Sequence, residues 1–265
     1  MTYITRIADT ELARLLASAG AVVIEGPKAC GKTETARQRS ASEILLDVDD
    51  AARRALLVAP TVVLNDAAPQ LVDEWQLEAK AVWNNIRRLV DDRKMPGQFI
   101  LTGSATPDDD ADRHTGAGRF ATLLMRPMSL YEIGRSNGAI SLGDLLAGIT
   151  PSSPEPGLTV ADLTEIAAVG GWPANQRLSV TASLQANRSY LDQICNVDVE
   201  RLTGEHRDPS KLRRLVMSLA RNIATEVNVK TLAADAGGEE GPLSRTTVYD
   251  YLAVLERLMI IENQP

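Results

Sequence analysis

The chain has 265 residues, of which 44% are hydrophobic and 24% charged. These are the proportions of a soluble globular protein of one large domain or two ordinary ones. A net charge of −7 excludes a protein whose whole surface binds nucleic acid, while leaving room for one basic patch. No apolar run approaches a membrane span, and Met1 to Arg6 lacks a signal-peptide core, so a cytoplasmic protein with no membrane contact is expected.

Asp9, Thr10 and Glu11 are placed to cap a first helix whose Leu12, Leu15 and Leu16 share one face, and Gly20 ends it. Ala21 to Glu25 reads as a strand. It leads into Gly26-Pro27-Lys28-Ala29-Cys30-Gly31-Lys32-Thr33, and Glu34 continues into a helix. This G-x-x-x-x-G-K-T pattern in a strand–loop–helix setting is a phosphate-binding loop. Its glycines admit backbone geometry that a side chain blocks. Its amides and the helix N-terminus favour phosphate oxygens. Lys32 is expected on the β- and γ-phosphates and Thr33 on Mg²⁺. Cys30, beside Lys32 at a helix start, is expected to be a reactive thiol of lowered pKa that bound ATP protects. With Cys195 distant from it, the two cysteines fit a reducing compartment and no zinc site.

Ile44 to Val48 reads as a second strand, with Asp49 and Asp50 capping a helix through Leu57. Thr61 to Leu64 fits either helix or strand. Leu71-Val72-Asp73-Glu74 is a short strand that starts after Pro69 and ends in an acid pair 40 residues beyond Thr33. Asp73 is the candidate Mg²⁺ ligand and Glu74 the candidate base for an attacking water. In isolation such a pair reads rather as a helix N-cap, and its place 40 residues beyond Thr33, leading into Trp75-Gln76, favours the nucleotide-handling reading. A helix from about Glu78 to Asp92 follows, and then the strand Phe99-Ile100-Leu101, which delivers Thr102-Gly103-Ser104. Ser104 and Thr102 are both candidates to sense the γ-phosphate, with a plain strand-end turn the competing reading.

Asp108 to Asp110 reads as a solvated acidic loop and His114 as an exposed loop residue. The glycine-rich stretch 113–120 carries two arginines. Arg119 is the first candidate for an arginine that stabilises charge on a transferring phosphate, followed by Arg113 and Arg126, with an ordinary surface ion pair the bland reading. Thr122 to Met125 reads as a fifth strand, and Pro127 to Glu132 as the start of a helix. Five strands alternating with helices give an α/β fold: a parallel sheet flanked by helices, with the site at the strands' carboxyl ends.

Residues 134–156 are rich in Gly, Ser and Pro and mark a boundary. Beyond it Val160 to Val169 reads as one helix, stopped by Gly170, and Leu178 to Leu202 as a longer one. Helices over Lys211 to Leu219, Val229 to Ala236 and from Ser244 follow, and Met259-Ile260-Ile261 reads as the start of a strand. Three helices and a strand resemble a winged helix. Residues 211–265 carry seven basic and seven acidic side chains, so a packing or partner-binding module competes with DNA contact. The expected domains are 1–135 (ATPase core), 136–205 (helical lid) and 206–265 (incomplete winged helix).

Gly26 to Thr33, Leu71 to Gln76, Phe99 to Ser104, Gly116 to Arg119, Arg126 to Leu130 and Gly170 to Pro173 occur in this order. Together they resemble the AAA-type ATPases of bacteria and archaea that carry a C-terminal domain of unknown function. The resemblance implies an AAA+ P-loop sheet, a helical lid and a winged helix. It also implies ATP and Mg²⁺ as cofactors, with Lys32 and Thr33 on phosphate and metal, Asp73 on metal, Glu74 as base, Ser104 or Thr102 as sensor and Arg119 as finger. A homo-oligomer and a DNA or protein client are the implied partners. Members of this group usually continue further, often into a nuclease-like domain, so a chain ending at Pro265 is expected to stop inside the wing. The leading expectation is Mg²⁺-dependent ATP hydrolysis. A nucleotide-gated switch with little turnover is the first alternative. A small-molecule kinase is the second, which Glu74 beside Asp73 disfavours.

Overall fold

The computed structural model describes residues 3–103, 116–153, 157–203 and 207–263. They divide into two compact units, Met1–Leu178 and Ser179–Pro265. The expected lid, 136–205, is shared between them.

The first unit is built on a parallel sheet of five strands: β1 (Ala21–Glu25), β2 (Ser42–Leu45), β3 (Gln70–Asp73), β4 (Phe99–Thr102) and β5 (Phe120–Leu124), in the order β2-β3-β4-β1-β5. Ala21, Val22, Val23 and Ile24 are all buried, as are all four residues of β3 and of β4. Strands covered on both faces lose the alternation of a half-exposed sheet. The register aligns Ile24 with Thr102, Asp73 with Thr102, and Glu25 with Leu124, so the phosphate loop, the acid pair and Thr102 emerge at one edge.

Helices cover both faces. α1 (Ile7–Leu16) and α2 (Lys32–Arg37) pack on one face, where Leu12, Leu16, Ala36 and Cys30 meet Val22, Ile24, Leu71 and Ile100. α3 (Asp50–Val58), α4 (Pro60–Val63) and α5 (Ala79–Arg93) cover the other, with Leu56, Val82, Ile86 and Val90 against Val23, Val72, Phe99 and Leu101. Asp49 caps α3 by accepting from the Ala51 and Ala52 amides. On the α5 face Trp83 bridges Trp75 and Phe120, with ring centroids 5.4 and 4.0 Å away.

Several boundaries differ from expectation. α1 begins at Ile7 because the Asp9 carboxylate accepts the Arg6 amide at 2.7 Å from inside the helix, rather than standing before it. β2 ends at Leu45, since the Val48 and Asp49 amides turn back to the Leu45 carbonyl. Thr61 to Leu64 resolves as helix at α4. A 3₁₀ turn, Trp75–Glu78, precedes α5. Pro127 to Glu132 makes turns instead of a helix: the Ser129 amide and hydroxyl both bond the Glu132 carboxylate, at 2.7 and 3.0 Å, an alternative that competes with helical backbone bonding.

α6 (Leu142–Leu146) is short, and α7 (Val160–Val169) is closed by a Thr159–Asp162 capping box and stopped at Gly170. In the second unit the expected long helix divides into α8 (Val180–Gln193), a π-helical turn, Ile194–Asp198, and α9 (Val199–Thr203). α10 (Pro209–Arg221), α11 (Val229–Gly237) and α12 (Arg245–Arg257) follow, α12 being capped by Ser244. Their apolar faces, including Leu212, Leu215, Leu232, Val248 and Leu255, form a separate core with Ile194 and Val199. Met259 to Ile261 is a turn, not a strand. The Met259 and Ile260 amides bond back to Glu256 and Leu255, and Met259 adopts φ 56°. This left-handed closure ends α12, and among the described residues no strand lies in the second unit to pair with.

Candidate nucleotide-binding site

The phosphate loop joins β1 to α2. Gly31 precedes the helix at φ 103°, a left-handed conformation that favours glycine. The Lys32 ammonium is buried and donates to the carbonyls of Gly26 and Pro27 at 2.8 and 2.9 Å. It therefore lies inside the curl of the loop. Burial lowers its pKa, against the opposing charges of Cys30, Glu74 and Asp73.

Asp73, at the end of β3, is buried. Its carboxylate accepts from the Thr33 hydroxyl at 3.1 and 3.2 Å and from the Thr102 hydroxyl at the end of β4. Two strand ends and the first turn of α2 thus meet at one carboxylate. Glu74 follows in a left-handed conformation, φ 51° and ψ 41°, which is costly for a residue with a side chain and recurs at functional sites. Gln76 donates to the Glu74 carboxylate.

The oxygen donors of Thr33 and Asp73 suit a hard divalent cation, and Lys32 within the loop suits the oxygens of a polyphosphate. The residues present therefore fit Mg²⁺ and a nucleoside triphosphate. No cluster of three or more His, Cys, Asp or Glu side chains able to hold a metal occurs among the described residues.

The structure places Lys32, Thr33, Asp73, Glu74 and Thr102 together. Ser104, Arg113 and His114 lie outside the described residues. Arg119 is not brought to the loop. Its carbonyl bonds the Ala21 amide at the amino end of β1, a full strand away, roughly 16 Å at about 3.3 Å per residue. Its guanidinium pairs with Asp91 at 2.8 Å. Arg126, exposed, stands at the carboxyl end of β5.

Cys30 departs from expectation. It is fully buried and its thiol pKa is raised. Burial outweighs the lowering by Lys32 and Arg6, because an apolar surround penalises thiolate more than two cations favour it.

Arg6 was not visible as a site residue in the sequence. Its buried guanidinium donates to the carbonyls of Cys30 and Arg126, both at 2.8 Å, and pairs with Glu132 at 2.8 Å. It ties the phosphate loop to the segment after β5. All three partners are remote in sequence, and no local motif marks them.

Residues 18–134 match the family described as "AAA domain". Residues 160–265 match the family described as "Domain of unknown function (DUF8612)". Among curated proteins the chain is similar to the uncharacterized proteins Rv2008c of Mycobacterium tuberculosis and Mb2031c of Mycobacterium bovis. Each is 28% identical over 134 residues, which is 49% of this chain and 30% of the relative. The match thus spans less than a third of either relative's length. Among solved structures, the Walker-type ATPase PABY2304 of Pyrococcus abyssi superposes with a TM-score of 0.52 at 13% identity, over 97% of this chain and 90% of that one. At that identity the likeness is one of fold. The first unit has a P-loop fold, and the match to a domain of unknown function follows it in the sequence, as the sequence motifs implied. No helix among the described residues is long and apolar enough to cross a membrane.

Proposed function

We propose that this chain binds ATP with Mg²⁺ and hydrolyses it in the cytoplasm, and that turnover moves the helical and winged-helix-like parts after residue 135. The observation that carries this reading is the convergence of Lys32, Thr33, Asp73, Glu74 and Thr102 at the carboxyl ends of β1, β3 and β4. Lys32 and the loop amides bind and orient the phosphates. Thr33 and Asp73 hold Mg²⁺, which supplies neutralisation of phosphate charge. Glu74 takes the proton of the attacking water. Arg119 acts on the nucleotide of a neighbouring copy, since its own loop lies at the other end of the sheet.

That last placement favours one alternative, a nucleotide-gated DNA- or protein-binding switch in which an isolated chain turns over little. Phosphate release and ATP binding, measured for the chain, Lys32→Ala and Glu74→Gln over a range of concentrations, separate the two. Hydrolysis predicts turnover lost in both variants, with binding kept in Glu74→Gln and lost in Lys32→Ala. ATP binding without turnover at any concentration favours the switch.

A further inference from the structure

Gln76 stands two residues beyond Glu74, in the 3₁₀ turn that leaves β3. Its amide nitrogen donates to Glu74 Oε2. Its carbonyl oxygen is buried and has no hydrogen-bond partner. A buried acceptor left unpaired is costly, so something must hold the amide this way round. Turning it over would aim the carbonyl at the Glu74 carboxylate, oxygen against oxygen. The present orientation satisfies the charged group and leaves the neutral acceptor unpaired.

The other side of the amide is fixed by Gly103, the residue after β4. A Cβ there would lie 2.3 Å from Gln76 Oε1, 3.2 Å from its Cδ and 3.3 Å from Trp75 Nε1. A side chain there would displace the carbonyl from where it now lies. Trp75 is itself buried and stacked on Trp83. Gln76 therefore lies between the end of β4 and the carboxylate at the end of β3.

We propose that Gln76 is a positioning residue for hydrolysis. It holds one carboxylate oxygen of Glu74 and so orders the base that takes the water's proton, and Gly103 is the space in which its amide carbonyl lies. The inference rests on the hydrolytic reading and names the residue that orders its base. A hydrogen bond to one carboxylate oxygen restricts the side chain's torsion. Small misplacements of a reacting group can cost up to about 10²-fold in rate.

The test compares Gln76→Met, Gln76→Glu and Gly103→Ala with the parent chain. Three quantities are read: kcat for phosphate release at saturating Mg-ATP, Kd for ATP, and thermal midpoint. Gln76→Met keeps the length and loses the donor. Gln76→Glu keeps the shape and sets two carboxylates face to face. Gly103→Ala leaves Gln76 in place and crowds its carbonyl. We expect kcat to fall about 10- to 100-fold in all three, with Kd within about twofold of the parent. Adding Gln76→Met to Glu74→Gln should lower kcat no further. A parent-like kcat in Gln76→Met and Gln76→Glu overturns the inference and leaves hydrolysis standing. So does a parallel loss of kcat, ATP affinity and thermal midpoint in every variant that folds, which marks a structural role. A parent chain that binds ATP without turnover sinks the hydrolytic reading and this inference with it, a result visible before any variant is made.

Discussion

The Arg6 guanidinium meets the Glu132 carboxylate at 2.8 Å, with both side chains almost wholly buried. The Ile7 and Ser129 amides bond the same carboxylate at 2.8 and 2.7 Å. The pair closes the first unit around the phosphate loop, because Arg6 also holds the Cys30 carbonyl.

This arrangement makes stability depend on acid in a defined way. Burial alone would raise the Glu132 pKa, but the Ser129 and Ile7 amides and Arg6 together lower it. A carboxylate with a depressed folded pKa adds stability above its unfolded value and loses it as pH falls through the folded one. Removing one partner of a buried pair costs about 3–5 kcal/mol. Glu132→Gln is therefore expected to lower stability towards urea by roughly that amount at neutral pH. The gap to the parent should shrink as pH falls below the ordinary Glu value of 4.5. A gap that stays constant down to pH ~3, well below ordinary Glu titration, would refute the ion-pair account.

Thr102 offers a second measure of how the strand ends are joined. It is fully buried and donates to Asp73, and a hydrogen bond to a charged group contributes about 1.5–3 kcal/mol. Thr102→Val keeps the volume and removes the donor, so equilibrium unfolding should show a loss of about that size. Thr102→Ser should recover most of it. In an Asp73→Asn background the Thr102→Val effect should be smaller, since the acceptor is no longer charged. Equal effects in both backgrounds would separate Thr102 from Asp73.

What could be read in the sequence follows the range of the interactions. The phosphate loop is local: one strand, one turn and one helix start carry its chemistry within a dozen residues, so its place was legible. The acid pair Asp73-Glu74 was legible for the same reason, since a strand end sets which way its last residues face. Arg6 was not, because its partners stand 24 to 126 residues away and a lone arginine before a helix looks like surface charge. Met259-Ile260-Ile261 has strand composition, yet a strand needs a neighbour, and the backbone closed α12 instead. Cys30 misleads in the opposite way: its charged neighbours are visible in the sequence, whereas its burial beside the carbonyl of Met125 is not.

The thiols give a direct check on that burial. Cys30 and Cys195 are both buried, and burial raises both pKa values. A thiol reagent at pH ~8, just below the ordinary thiol pKa, should therefore label the native chain slowly, with or without ATP. Both thiols should react at once in denaturant. Using Cys195→Ala isolates the loop thiol. Fast native labelling of Cys30 that ATP suppresses would restore the accessible-loop picture and contradict the packing found here.

Arg119 and Asp91 decide whether one chain suffices. Their ion pair is partly exposed, with each side chain at about a third of its full accessibility, so solvent screens it and it is readily exchanged for another anion. An arginine at the amino end of the sheet can serve only a nucleotide presented by another copy, and such a contribution is worth about 10³–10⁵ in rate. Specific phosphate release should therefore rise with protein concentration. Arg119→Ala should flatten that rise while leaving ATP affinity unchanged. Asp91→Ala, which frees Arg119, should keep it. If Arg119→Ala keeps the full concentration-dependent rise, Arg119 is a structural surface cation, and Arg126, at the same sheet edge as Lys32, becomes the arginine to change next.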